Sequence, residues 1–409
     1  MHCRVCKSEA QKVVDFGTMP IANNFVKNVD DDTYRFNLSV SFCQNCHLLQ
    51  IDEQPNRELM FHDEYKFFTG LSDHMRIHFH DMFEEYFSAI EKETKEVFIV
   101  EIGCNDGTLL EAAKSRGVSH LGIDPSANVI KRANERGIST ELDFFDSALA
   151  KSVKKKIQSA DLIFAANVVC HIPDLLDFAN GIKHLLSENG KFVFEEPYVG
   201  SMIEKTSYDQ IYDEHVYIFG VLAIQKVFSS VGLELVDAIP QSTHGGSMRY
   251  VITHQGRSQI SKNVSRIAKE ELERGYDQLE TYKKFGAKCE IRKVELVNLL
   301  QKLNTEGHKV AGYAATSKST TILNFCNITP KLINYISDST MDKQRKYSPG
   351  MYIPVVSHEE MRANPPDYLV LFAWNHENEI LQKESLLISQ GVKWIRFVPK
   401  VEVVKLNEI

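Results

Sequence analysis

From residue 97 onward, short apolar runs alternate with longer amphipathic stretches. Residues 97–102 form such a run, broken only by Glu101 and stopped by Gly103. Residues 120–124, 161–166 and 190–195 repeat the form, and helical patterns such as 175–186 separate them. Apolar runs of this length between turn residues predict buried strands of a mostly parallel sheet with helices on both faces. A second alternation starts at residues 308–313 and runs into the small-residue loop 314–318. It continues with expected strands at 332–336, 368–372 and 394–397, a second and smaller nucleotide-type sheet. Between the two, Ile267, Leu272, Leu279, Tyr282 and Phe285 recur at near-helical spacing in charged surroundings and predict a long helical connector. The first 65 residues lack helical periodicity, and residues 16–20 read as a turn. So short a segment builds little core and needs a staple. The chain therefore divides into 1–65, 66–257, a connector at 258–304, and 305–409, within an α/β class.

Composition adds limits. Hydrophobic residues are 43% and charged residues 25% of the 409 residues, an ordinary globular balance. No stretch approaches the roughly 18 apolar residues of a membrane span. The first residues, Met1-His2-Cys3-Arg4-Val5-Cys6, carry no apolar signal core, so a cytoplasmic protein without membrane contact is expected. A net charge of −8, with both signs mixed, argues against a nucleic-acid partner. The linked segments are compatible with a monomer.

Of eight cysteines, Cys3-x-x-Cys6 and Cys43-x-x-Cys46 carry the spacing of paired zinc knuckles. Four thiolates close a tetrahedral site, so the Zn2+ is expected to be structural. Cys104, Cys170, Cys289 and Cys326 lie in apolar or small-residue contexts and read as core.

Candidate chemistry gathers at the loop Glu101-Ile102-Gly103-Cys104-Asn105-Asp106-Gly107 after the first central strand. Gly103 and Gly107 allow a tight turn and close approach of a ligand, with Asn105 and Asp106 between them. The spacing is not G-x-G-x-x-G, so a nicotinamide dinucleotide fits poorly. Asp124, about 20 residues on at the end of the second strand, can accept both ribose hydroxyls of an adenosine ligand. Asn167 falls on the same carboxyl edge, and Thr69, Gly70 and Ser72 are candidate lid contacts. Together these resemble a class I S-adenosylmethionine site.

Further motifs follow in order: Asn167-Val168-Val169-Cys170-His171-Ile172-Pro173-Asp174, Phe194-Glu195-Glu196-Pro197-Tyr198, and Ile211-Tyr212-Asp213-Glu214-His215. Thr243-His244-Gly245-Gly246-Ser247-Met248-Arg249, then Gly312-Tyr313-Ala314-Ala315-Thr316-Ser317-Lys318 and Trp374-Asn375, complete the series. With the cysteine pairs and the glycine loop, nearly the whole chain resembles the sugar C-methyltransferases that build branched deoxysugars. It departs from that pattern at Cys104, Asp213 and Glu196, where Ser, His and an apolar residue are commoner.

The resemblance implies a small N-terminal zinc module, a class I methyltransferase Rossmann-like core, and a smaller C-terminal Rossmann-like domain for a nucleotide-linked ketosugar. It implies an acceptor carbon beside a ketone, C3 next to C4, made nucleophilic as an enolate. His215 is then the base, Glu214 its orienting carboxylate, and Tyr212 and His171 hydrogen-bond donors around the carbonyl. His244, Gly245, Ser247 and Arg249 suit a diphosphate, since glycines expose backbone N–H groups and arginine forks onto phosphate. Lys318 is a second phosphate candidate. His74, His78 and His80, on an expected helix, read as solvated. Competing readings are a sugar O-methyltransferase, a non-catalytic zinc-ribbon interaction protein and a nicotinamide enzyme.

Overall fold

The computed structural model describes residues 1–31, 33–62, 65 and 68–404. Three antiparallel strands open it: Gln11–Pro20 (β1), Arg35–Cys43 (β2) and Leu48–Ile51 (β3). Residues 16–20, expected as a turn, lie inside β1. Gly17 takes φ 78° and the register slips between Asp15 and Thr18, so the turn chemistry makes a bulge instead.

The core sheet uses Phe98–Ile102 (β4), Ser119–Asp124 (β5), Thr140–Leu142 (β6), Ala160–Ala166 (β7) and Leu186–Pro197 (β8), all parallel. Their apolar runs are buried on both faces, with Phe164, Phe192 and Phe194 at 0% exposure. Tyr217–Ile218 (β9) leaves this domain to pair with β3. Leu233–Gln241 (β10) and Ser247–His254 (β11) then add an antiparallel hairpin at the edge, giving the order β10-β11-β8-β7-β4-β5-β6.

The expected connector is two helices, Lys262–Glu273 and Leu279–Thr305, separated around Gly275 at φ 70°. The second packs on β1, where a side chain at Gly286 would collide with the Val13 carbonyl. It buttresses the zinc module, so it is no mere spacer.

The last sheet contains Val310–Tyr313 (β12), Ile336–Ser337 (β13), Val355–Val356 (β14), Tyr368–Leu371 (β15), Lys393–Arg396 (β16) and Glu402–Val403 (β17), ordered β14-β13-β12-β15-β16-β17. The strand expected at 332–336 shrinks to its end, because the amides of Leu332 and Ile333 close a turn on the Thr329 carbonyl. Residues 405–409 of the expected third domain lie outside the described residues.

All three units meet on residues 208–218. From the zinc side, Ile51 N donates to the Val216 carbonyl at 2.9 Å and Ala22 N to Asp213 Oδ1 at 3.1 Å. From the C-terminal side, the helix Ser317–Phe325 sends Thr321 Oγ1 to the Ile211 carbonyl and Thr320 Oγ1 to the Ala22 carbonyl, both at 2.8 Å. Among the described residues no helix is long and apolar enough to cross a membrane.

Candidate active site and metal centre

The sulfurs of Cys3, Cys6, Cys43 and Cys46 all lie within 4.8 Å of one another. Lys7 and His47, each just after the second cysteine of its pair, take left-handed φ of 60° and 58° and fold the two knuckles back on the same point. Soft donors in this closed set fit Zn2+. Neither flanking histidine joins the cluster: His2 Nδ1 lies 3.1 Å from the Lys7 carbonyl, and His47 stands outside the four-sulfur group. The ion would hold β3 in place, and β3 holds the segment just after His215.

The cofactor loop turns at Gly103 (φ 68°), Asn105 (φ 50°) and Gly107 (φ 78°). A side chain at Gly103 would strike Val168. Asp124 accepts from Asn105 N at 3.0 Å and from Ser126 N at 2.9 Å, and burial lifts its carboxyl pKa to about 6. Thr69 N donates to Asn105 Oδ1 at 3.0 Å, which ties residues 69–72 to this loop. Ser72 instead caps the helix Asp73–Phe87 through Met75 N. Asp106 is occupied by Gly70 N, Thr108 Oγ1 and Arg136, so its carboxylate shapes the loop itself. Glu101, quoted with the loop but not assigned a role, is one residue that sequence reasoning missed. Its Oε2 is buried without a hydrogen-bond partner, and burial with the nearby Asp106 and Asp124 charges pushes its pKa well up. Buried acids around a tight loop fit S-adenosylmethionine, whose sulfonium and amino group are cationic.

Tyr212 and His215, one helical turn apart in sequence, are joined directly. The Tyr212 hydroxyl lies 2.8 Å from His215 Nε2, and His215 Nδ1 lies 2.7 Å from the Gln210 carbonyl. A carbonyl only accepts, so Nδ1 carries the hydrogen and bare Nε2 accepts from tyrosine. Burial and the adjacent His171 and Lys318 charges hold the His215 pKa well below its ordinary value. His171 stacks on His215 with ring centroids 5.3 Å apart, and burial brings its pKa to about 3. Cys170, buried as expected, sits beside both rings, its sulfur within 4.8 Å of their nitrogens. Stacked rings with both His215 nitrogens engaged suit proton transfer better than chelation.

Several sequence-based expectations are corrected here. Glu214 does not orient His215: its Oε1 accepts from Asn23 Nδ2 at 2.8 Å, and the orienting acceptor is the Gln210 carbonyl. Glu196, one of the departures from the family pattern, serves the backbone. Its Oε1 accepts from Val168 N and Val169 N at 2.9 and 2.6 Å, ordering the turn that carries Cys170 and His171. Arg249 is no phosphate fork. It points along the sheet face to Glu195 Oε1 and Glu85 Oε2, each at 2.6 Å, and is 5% exposed. His78, read as solvated, closes the same network on Glu195 at 2.7 Å. Ser247 is buried and gives its hydroxyl to the Thr243 carbonyl.

The rest of that motif turns toward Asn167, Gln210 and Trp374. His244 (φ 54°) has Nε2 3.2 Å from Asn167 Nδ2, and its carbonyl accepts from Gln210 Nε2 at 2.7 Å. Gly245 lies flat against Trp374, where any side chain would collide with the indole. Trp374 Nε1 donates to Asp209 Oδ2 at 2.7 Å, and Lys318 Nζ lies 5.8 Å from the Trp374 ring centre. Tyr65 is a second missed residue. Its ring lies 5.7 Å from Phe61, which stacks on His171 at 5.4 Å, and burial with the Glu214 and Asp124 charges raises its pKa well above the usual value.

Three family models match successive stretches: "Putative zinc binding domain" over residues 3–61, "Methyltransferase domain" over 78–238, and "C-methyltransferase C-terminal domain" over 242–399. The chain is similar to C-methyltransferase NovU of Streptomyces niveus, 29% identical over 407 residues, covering 98% of this chain and 96% of the relative. It is also similar to the mitochondrial ubiquinone biosynthesis O-methyltransferase of Bos taurus, 26% identical over 151 residues, or 36% of this chain and 35% of that one. Among solved structures, an S-adenosylmethionine-dependent methyltransferase from Anabaena variabilis is 18% identical with a TM-score of 0.35, covering 43% of this chain and 83% of its own.

Proposed function

Because this chain belongs to the C-methyltransferase family, and is an S-adenosylmethionine-dependent methyltransferase with a structural zinc module, we propose that it methylates C3 of a nucleotide-linked 4-keto-deoxysugar in branched-sugar biosynthesis. The observation that carries this is the Tyr212–His215 pair: a neutral, oriented imidazole behind a phenol, at the junction of all three units. A C–H beside a ketone is acidic enough for such a base, whereas an isolated ring carbon is not. The match to a C-methyltransferase along 98% of the chain supports carbon as acceptor, while the O-methyltransferase match covers 36%.

S-adenosylmethionine supplies the electrophilic methyl group. The acidic crevice of Glu101, Asp124 and the 103–107 loop binds and orients it, and Thr69 covers it. Asn167, His244 and Gly245 line the sugar's approach, with Trp374 and Lys318 opposite. The Tyr212–His215 pair takes the α-proton, and the stacked His171 shields that pair from water. The same reading makes the enzyme a cytoplasmic monomer acting on a nucleotide sugar, without nucleic acid or membrane.

Methyl transfer from labelled cofactor to a panel of nucleotide 4-keto-deoxysugars tests this. His215→Ala is expected to lower transfer by about 10²–10⁴-fold while leaving cofactor binding by calorimetry intact. Undiminished turnover in that variant would place the base elsewhere.

A further inference from the structure

We propose that the Lys318 ammonium is the group that stabilises the enolate oxygen of the sugar, and that it is not a phosphate ligand. This rests on the carbon-methylation reading above. Lys318 stands in the first turn of the helix Ser317–Phe325, the helix whose Thr321 is hydrogen-bonded to Ile211 beside the dyad. Its Nζ is buried, yet it donates to no protein acceptor among the described residues. A buried ammonium without an acceptor is costly and calls for an anion.

The position says which anion. Around Lys318 runs a short ring of contacts. Asp209 receives Trp374 Nε1; the next residue, Gln210, gives its carbonyl to His215 Nδ1 and its amide to the His244 carbonyl. Lys318 Nζ stands 5.8 Å from the centre of the Trp374 ring, whose indole is bonded to Asp209, the neighbour of the residue that orients the base. A pyranose ring separates an anomeric diphosphate from a C4 ketone. A cation beside the base that deprotonates C3 therefore meets the C4 oxygen and leaves the phosphate to other groups. Burial lowers the Lys318 pKa, and the charge of Asp209, which has one buried oxygen unpartnered, opposes that shift, as an anion bound beside the ammonium would.

The balance is simple. His215, through Tyr212, takes the proton from C3, and the C–H electron pair becomes the enolate with negative charge on the C4 oxygen, facing the ammonium. That pair then forms the C3–CH3 bond as the sulfonium S–CH3 bond breaks, which restores the ketone and leaves a neutral thioether. The imidazolium returns its proton to water.

Wild type, Lys318→Met and Lys318→Arg would be compared as full zinc-loaded chains in D2O. Deuterium exchange at C3 without cofactor, methyl transfer with it, and affinity for a nucleoside diphosphate alone are measured. Removing one oxyanion partner is expected to slow both exchange and kcat by about 10²–10³-fold in Lys318→Met. Nucleoside diphosphate affinity should move less than about threefold, and Lys318→Arg should recover part of the exchange rate. Undiminished exchange in Lys318→Met, with KM and diphosphate affinity weakened about tenfold or more, would make Lys318 a phosphate ligand and overturn the proposal. A wild type that exchanges nothing and methylates a hydroxyl would instead remove the carbon-methylation reading itself.

Discussion

The first crevice of the core sheet and the first crevice of the C-terminal sheet are built by the same hydrogen bonds. Gly103 N donates to the Ile123 carbonyl at 2.7 Å, and Ala314 N to the Ser337 carbonyl at 2.8 Å. One residue or two further on, Asn105 N reaches Asp124 Oδ2 at 3.0 Å, and Ala315 N reaches Asp338 Oδ2 at 2.6 Å. Each aspartate then closes a turn with its other oxygen, on Ser126 N at 2.9 Å and on Thr340 N at 2.8 Å. What differs is the charge around this shared frame. Buried Glu101 and Asp106 surround the core loop, while Lys318 and Lys343 stand at the C-terminal one, the latter donating to the Ala315 carbonyl at 2.8 Å. One backbone device thus stands among carboxylates in the core sheet and among ammonium groups in the C-terminal sheet. The backbone makes a site; the side chains beside it choose the ligand.

The severest way to break that division of labour is to remove the metal. Zinc chelation is expected to abolish methyl transfer altogether, because β3 no longer holds β9 and the dyad, and zinc content measured with activity should fall together. Asp124→Ala should separate the crevices: cofactor affinity is expected to drop roughly 10–100-fold by calorimetry, with nucleoside diphosphate binding unchanged. pH sharpens the same point. Since the folded Asp124 pKa is raised to about 6 from 3.8, its stabilising contribution is full below about pH 4 and is lost as pH rises through 6. Cofactor binding, which uses the carboxylate as acceptor, should strengthen over that window, and Asp124→Asn should flatten both trends. The smallest effects concern the two left-handed turns. Gly103→Ala, with φ 68° and Val168 in the way, is expected to cost about 2–4 kcal/mol in thermal unfolding. Ala314→Gly, relieving φ 72°, should gain up to about 1 kcal/mol.

How much of this was legible depended on whether a signal was local. The central parallel strands, the knuckles and the glycine loop each announce themselves within a few residues, through apolar runs, spacing or a required φ, whereas the short strands β6 and β14 carry no such run and went unread. The edge hairpin β10–β11 went unread because Ser, Arg and Pro interrupt its apolar alternation, although β11 is buried continuously from Ser247 to Thr253. Arg249 and Glu214 were misassigned for one reason. Their chemistry was read correctly as cation and carboxylate, but their partners lie 164 and 191 residues away, fixed by sheet register and module docking. Cys170 was rightly called buried, yet burial alone did not reveal the two imidazoles beside it. The Tyr212–His215 pair came into view because its members lie three residues apart.

The most direct test is where the methyl group goes. With 13C-methyl cofactor and a nucleotide 4-keto-deoxysugar, NMR of the product should show the label bonded to C3, beside the ketone, with no methoxy resonance. A 13C-methoxy signal, with the hydrogen on C3 retained, would contradict an enolate made by Tyr212 and His215.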